Sequence, residues 1–404
     1  MQSGSFVLAC ALASLAFSRV AQAQLNPAPD GGYPNNNTAE GTNALFHIDL
    51  SSLGSNTAVG DSALFNNTTG NSNTAVGVSA LSSNTTGVEN TAIGAFALEF
   101  DSGSANTAVG ASTLFHNETG SENTAVGIDA LGRNTSGNNN TATGANALVL
   151  NTTGVDNTAN GTLALMSNTT ANNNTATGVD ALFSNTTGAN NTATGGSALQ
   201  DNTTASSNTA DGAFALFSNT TGGKNTATGQ SALEFNTTGK NNTASGYLAL
   251  QNNKVGNNNT AEGFQALRHS AGSNNIALGS NAGANLSTGG NNIDIGAPGA
   301  AGEANTIRIG LQGTQKSTLI AGIAGTAVTG AQVVVNSTGK LGVMTSSARF
   351  KTDIKPMNQA SEAILKLKPV SFRYKEEVDP DATPQFGLIA EQVDKVSPYL
   401  VVHD

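Results

Sequence analysis

Few side chains in this 404-residue chain are equipped for chemistry, and their placement limits what that chemistry can be. The single cysteine, Cys10, lies in an apolar N-terminal segment. Once that segment is removed no thiol remains, so neither a disulfide nor a thiolate metal site is expected. Three of the four histidines, His47, His116 and His269, fall in a repetitive region at what read as unrelated repeat positions. Metal ligands are not laid out that way, so these histidines read as surface groups, and no metal or cofactor is expected. The same region offers no Ser, His and Asp set and no cleft-forming domain, which counts against a multi-turnover hydrolase. A formal net charge of −10 counts against a nucleic-acid partner, because phosphate binding needs clustered Lys and Arg. Sequons such as Asn67-Thr68-Thr69 match the glycan acceptor pattern, but a repeat built from Asn and Thr generates them automatically.

The elements that must carry these residues are set by the repeat. With 47 Gly, no Trp and only 11% charged residues, the chain lacks the bulky apolar side chains of a conventional core. Instead a unit N-T-A-x-G-x-x-A-L-x-x-N-T-T-G-x-x recurs from Asn56 to Asn259. Its leading Asn returns every 17 residues, except for a step of 16 from Asn90 to Asn106, and looser copies start at Asn37, Asn275 and Asn292. Such a period marks a solenoid, in which each unit buries its apolar face only by stacking on its neighbours. Each N-T-A-x-G and each A-L-x-x segment is short enough to be one strand, with Asn, Gly and Thr clusters as turns. Ala is constant at the third position (Ala58, Ala75, Ala92), while the fourth drifts through Val59, Thr143, Asp211 and Glu262. Side chains alternate across a strand, so the Ala side faces inward and the variable side faces solvent. The Ala63-Leu64 pair and its copies supply a second inward row, and the Asn columns are expected to hydrogen-bond from rung to rung at the corners. At about 4.8 Å per rung the stack would be a rod of roughly 75 Å.

This unit resembles the head repeats of trimeric autotransporter adhesins over Asn56 to Gly296, which implies a left-handed parallel β-roll. The solvent-side column Thr57, Thr74, Thr91, Thr107 is similar to the flat Thr face of ice-binding solenoids, although Thr is also simply a good strand residue.

The two ends read differently. Phe6 to Phe17 is an apolar run of export-signal length, too short to span a bilayer, and Ala21-Gln22-Ala23 fits a cleavage site before Gln24. No Lys or Arg precedes the run. At the other end charge density rises: five Lys/Arg and thirteen Asp/Glu lie in residues 56–292, against eight and nine in residues 346–404. Asn305 to Gly310 reads as a last strand and Val333 to Leu341 as a hairpin. A helix over Asn358 to Leu367, with Ile364 and Leu367 on its buried side, stops before Pro369. Val370 to Tyr374 and Phe386 to Ala390 read as strands, and Glu391 to Val396 as a short helix.

Ser346 to Lys355 (SSARFKTDIK), Lys368 to Tyr374 (KPVSFRY) and Gly387 to Val393 (GLIAEQV) resemble, in order, three blocks of the endosialidase-type intramolecular chaperone domain. That family folds an upstream fibre as a trimer and then cuts itself free with a Ser-Lys dyad. Carried over by position, Ser346 is the nucleophile and Lys351 the base, with cleavage between Thr345 and Ser346 and Arg349 as possible support for the dyad. A lysine serves as a base only when neutral, so it needs desolvation or a neighbouring cation to lower its pKa. Ser347 stands where the family often has Asp, and the family continues beyond the equivalent of Asp404 into further strand and a coiled-coil-like tail. The module is therefore expected to be truncated.

The expected organisation is a signal peptide (1–23), an N-terminal segment with a first loose repeat (24–55), β-solenoid repeats (56–296), a β-rich neck (297–345) and a small α+β chaperone and autoprotease domain (346–404). The fold class is mainly β. The expected function is an exported, trimeric, adhesin-like fibre, secreted or on the cell surface. Its terminal module would assist assembly and act once, in cis, as a serine autoprotease. The alternative is a non-cleaving assembly domain on a solenoid that binds glycan or ice.

Overall fold

The structure, a computed structural model, describes residues 33–49, 54–320, 333–343, 349, 352–356, 358–375 and 384–401. The expected signal segment lies outside these residues. Two compact units follow one another, Met1–Thr318 and Leu319–Asp404.

The first unit is a parallel β-solenoid. Three-residue strands run from β1 (Thr38–Glu40) and β2 (Thr57–Val59) to β17 (Ile307–Ile309), each hydrogen-bonded to the next in one 17-stranded sheet. Pairing is in register, so Thr57, Ala58 and Val59 sit beside Thr74, Ala75 and Val76. Like therefore stacks on like along the whole axis. The expected alternation holds: Ala58, Ala75 and Ala92 are fully buried, while the flanking Thr and variable residues are half-buried or exposed.

The A-L-x-x segment is not a strand. It is a turn in which Leu64 and Leu81 adopt left-handed φ values of 48° and 53°, and their equivalents do the same in every rung to Leu267. Placing a non-glycine residue there costs about 1–2 kcal/mol. Burying its side chain completely returns about 1.5–3 kcal/mol, so the inward turn wins. Backbone pairing continues through this turn, with Leu64 N donating to Ala80 O at 2.9 Å and Asn66 N to Ser82 O at 2.9 Å. The fifth position must be glycine. Gly161 sits at φ +145°, and a Cβ on it would lie 2.5 Å from the carbonyl oxygen of Gly178 in the next rung.

Two columns of fully buried Asn run along the coil at its turns, their side chains facing inward. In the first, Asn73 N donates to Asn56 Oδ1 at 3.0 Å and Asn73 Nδ2 donates to Gly87 O at 2.8 Å. In the second, Asn84 Nδ2 donates to Asn67 Oδ1 at 3.0 Å, and Asn84 Oδ1 accepts from Gly87 N at 3.0 Å. Tight turns leave backbone groups facing inward, and the amide side chain satisfies both donors and acceptors where water cannot reach. The 16-residue rung from Asn90 shortens the second column's turn to Asp101-Ser102-Gly103, so a carboxyl group replaces one amide.

At its C-terminal end the solenoid changes character. The inward Ala position becomes Asp294 in β16 (Ile293–Ile295) and Arg308 in β17, in register with Ala277 of β15 (Ile276–Leu278). Arg308 Nη2 donates to Glu303 Oε1 at 2.7 Å. Polar groups thus close the end of the apolar column, which also discourages further strand addition.

The second unit is sparsely packed. β18 (Val333–Val335) and β19 (Leu341–Val343) form the expected hairpin, its turn held by Asn336 Oδ1, which accepts from Thr338 N and Lys340 N. Asn358–Lys366 is a 3-10 helix instead of the expected α-helix, and Ile364, expected to be buried, is 56% exposed. β20 (Val370–Phe372) pairs antiparallel with β21 (Gln385–Gly387), and α1 (Ala390–Val396) follows. Among the described residues of this unit Val393 alone is a buried hydrophobic. No helix among the described residues is long and apolar enough to cross a membrane.

Candidate functional site

Two of the three sequence blocks in the C-terminal unit meet in space. β20 lies in the KPVSFRY block, and its Val370 pairs with Gly387, the first residue of the GLIAEQV block. Ser371 sits opposite Phe386, and Phe372 packs edge-on against Tyr374 with ring centroids 5.1 Å apart. The remainder of the third block opens α1, whose Val393 turns inward. An open groove beside the helix is bordered by Lys366, Lys368 and Lys395 together with Leu388, Gln392 and Val396. Thr345, Ser346 and Lys351 lie outside the described residues. Arg349, between the two dyad positions, is exposed.

The solenoid histidines do not sit at unrelated positions, contrary to the expectation from sequence: His47, His116 and His269 each stand two residues after the inward Leu, following Leu45-Phe46, Leu114-Phe115 and Leu267-Arg268. They share a column, but His47 and His116 are four rungs apart, about 19 Å at about 4.8 Å per rung. One ion cannot bridge that distance. Each is instead used locally: His47 packs on Phe46 and Phe65, and His116 on Phe100 and Phe115. No group of three or more His, Cys, Asp or Glu capable of holding a metal occurs among the described residues.

Two buried carboxyl groups escaped the sequence reading. Asp101 is 1% exposed; its Oδ1 accepts from Asn117 Nδ2 at 2.6 Å and Gly103 N at 3.0 Å, while Oδ2 has no partner. Burial pushes its pKa up to about 7, against opposing hydrogen bonds from Asn117, Gly103 and Asn106. Asp294, also 1% exposed with an unpartnered Oδ2, is raised to about 6 by burial and by the Glu303 carboxylate, with Arg308 opposing. The signal for both was present: Asp101 interrupts a run of Asn from Asn67 to Asn253, and Asp294 ends a run of Ala from Ala39 to Ala277.

The comparisons with known proteins agree with the C-terminal blocks. Residues 346–402 match the family described as chaperone of endosialidase. No curated protein and no solved structure matches the chain.

Proposed function

We propose that the chain is an exported structural fibre, adhesin-like in build, whose solenoid is the shaft and whose C-terminal module assembles three copies and then cuts itself away. The observation that carries this reading is the family match over 346–402, which begins at the residue carried over as the nucleophile and lies C-terminal in sequence to a long β-solenoid. In the proposed reaction the Ser346 hydroxyl oxygen attacks the Thr345 carbonyl carbon. Neutral Lys351 takes the hydroxyl proton and passes it to the departing Ser346 amine as the peptide C–N bond breaks. Water then hydrolyses the resulting ester and restores the serine. Arg349 would keep Lys351 neutral by charge repulsion. The event occurs once per chain, so the protein has no turnover in the ordinary sense.

Denaturing gels and intact mass on the chain from Gln24, beside Ser346→Ala and Lys351→Ala, test the reading. A fragment ending at Thr345 in the parent, and uncut chain in both variants, is the expected result. Uncut chain in all three would remove the self-cleaving dyad and leave assembly alone.

A further inference from the structure

The outward face of the solenoid sheet is not uniform: β2 (Thr57–Val59) to β6 (Thr124–Val126) pair one Thr with one Val or Ile, and the last three strands alone are aliphatic at both outward positions. From β7 (Thr141–Thr143) to β14 (Thr260–Glu262) the inward residue is Ala. The two outward residues are Thr followed by Thr, Asn, Asp, Ser or Glu, and no aliphatic side chain faces solvent. At β15 the outward pair becomes Ile276 and Leu278, at β16 Ile293 and Ile295, and at β17 Ile307 and Ile309. In β16 the inward residue is at the same time the buried Asp294, in register with Arg308 of β17, whose side chain is 45% exposed. A strand with charge on its core side and isoleucine on its solvent side is patterned to be buried from outside. Exposure rises along this face, from Ile276 at 39% and Ile295 at 38% to Ile307 at 67% and Ile309 at 72%.

We propose that this Ile/Leu face of β15–β17 packs against the same region of a second copy of this chain, while the Thr face of β7–β14 stays in solvent. The inference rests on the assembly role proposed above. Size argues for a copy over an independent partner. Three strands of three residues cover on the order of 150 Å², whereas a stable interface buries about 800 Å² on each partner. The face is too small to hold a free partner by itself. It suits copies already held together elsewhere, and the C-terminal unit needs such contacts for its own reasons. Leu319, Leu365 and Phe386 are each more than four-fifths exposed in the single chain, and Val393 is the one buried hydrophobic among its described residues. Neither face carries a charge that a copy would have to desolvate: all six outward side chains are aliphatic.

The chain from Gln24 contains no cysteine, so single cysteines report contacts cleanly. Ile309→Cys and Ile276→Cys, each in the Ser346→Ala background, are treated with a short bismaleimide beside Thr192→Cys in β10 (Thr192–Thr194). Light scattering is run on the same samples, and circular dichroism confirms that each is folded. The expected result is an oligomer in which both β15–β17 sites cross-link into covalent multimers and Thr192→Cys does not. An oligomer with no cross-link at Ile309 or Ile276 overturns the proposed surface and leaves the assembly role standing. Equal cross-linking at all three sites overturns it too, because the copies would then touch along the whole sheet. A monomer would remove the assembly reading and the surface together.

Discussion

Asp101 is the residue at which the ladder is most exposed to solution conditions. Every other position of its column that bears Asn can donate from Nδ2, as Asn117 does to Asp101 and Asn134 to Asn117 at 2.6 Å. An ionised Asp101 has nothing to donate; a protonated one has a hydroxyl at the orphaned Oδ2. Its pKa, pushed up to about 7 by burial from the 3.8 of an ordinary aspartate, fixes the sign. The unfolded chain releases this proton first, so the stability it lends is full below about pH 4 and is lost as pH rises towards 7. At 1.36 kcal/mol per unit the loss is about 4 kcal/mol. Asp101→Asn should therefore raise the melting temperature far more at pH 8 than at pH 4. An equal gain at both would mean that Asp101 is ionised throughout. The regular ladder is tested by Asn168→Ala, which removes bonds to Asn151 Oδ1, Ala171 O and Asn185 Nδ2. A cost of about 1–3 kcal/mol in thermal or denaturant unfolding is expected, and a neutral result would make the column decorative.

At the scale of the rung, glycine at the fifth position sets how closely coils can stack. Gly161→Ala would place a methyl 2.5 Å from Gly178 O at a φ that L side chains rarely adopt. A loss of more than about 2 kcal/mol should follow, measured by unfolding. Gly196→Ala, with nothing within 4 Å, should stay within about 0.5 kcal/mol. The rung also shows what sequence alone carried. The period, the buried Ala58 and Leu64 rows, the solvent-facing fourth position and the Asn ladders all followed from which positions vary and which do not. The A-L-x-x turn did not, because local preference steers Leu away from left-handed backbone and only the closed coil reverses that preference. The histidine column is hidden in the sequence because its three members are separated by ordinary rungs. In the C-terminal unit the short strands and α1 were legible, but the 3-10 form and outward Ile364 of the preceding helix were not. Amphipathic spacing says that a residue will be covered, not which chain covers it.

At the scale of the whole molecule, the two units differ in what they can do alone. The solenoid buries an Ala and Leu core continuously from Ala39 to Leu286, and it satisfies its interior amides rung by rung. The C-terminal unit leaves Leu365 86% and Phe386 86% exposed. Apolar surface on that scale is stabilised by association, with protomer concentration entering the stability directly. Thermal unfolding of the C-terminal unit should accordingly shift upward with chain concentration, whereas an unfolding temperature independent of concentration would speak for a self-sufficient module. If the module brings copies of the solenoid together, light scattering on the uncut Ser346→Ala chain will give three times the mass of one chain. The mass of a single chain, folded and stable, would show that it does not.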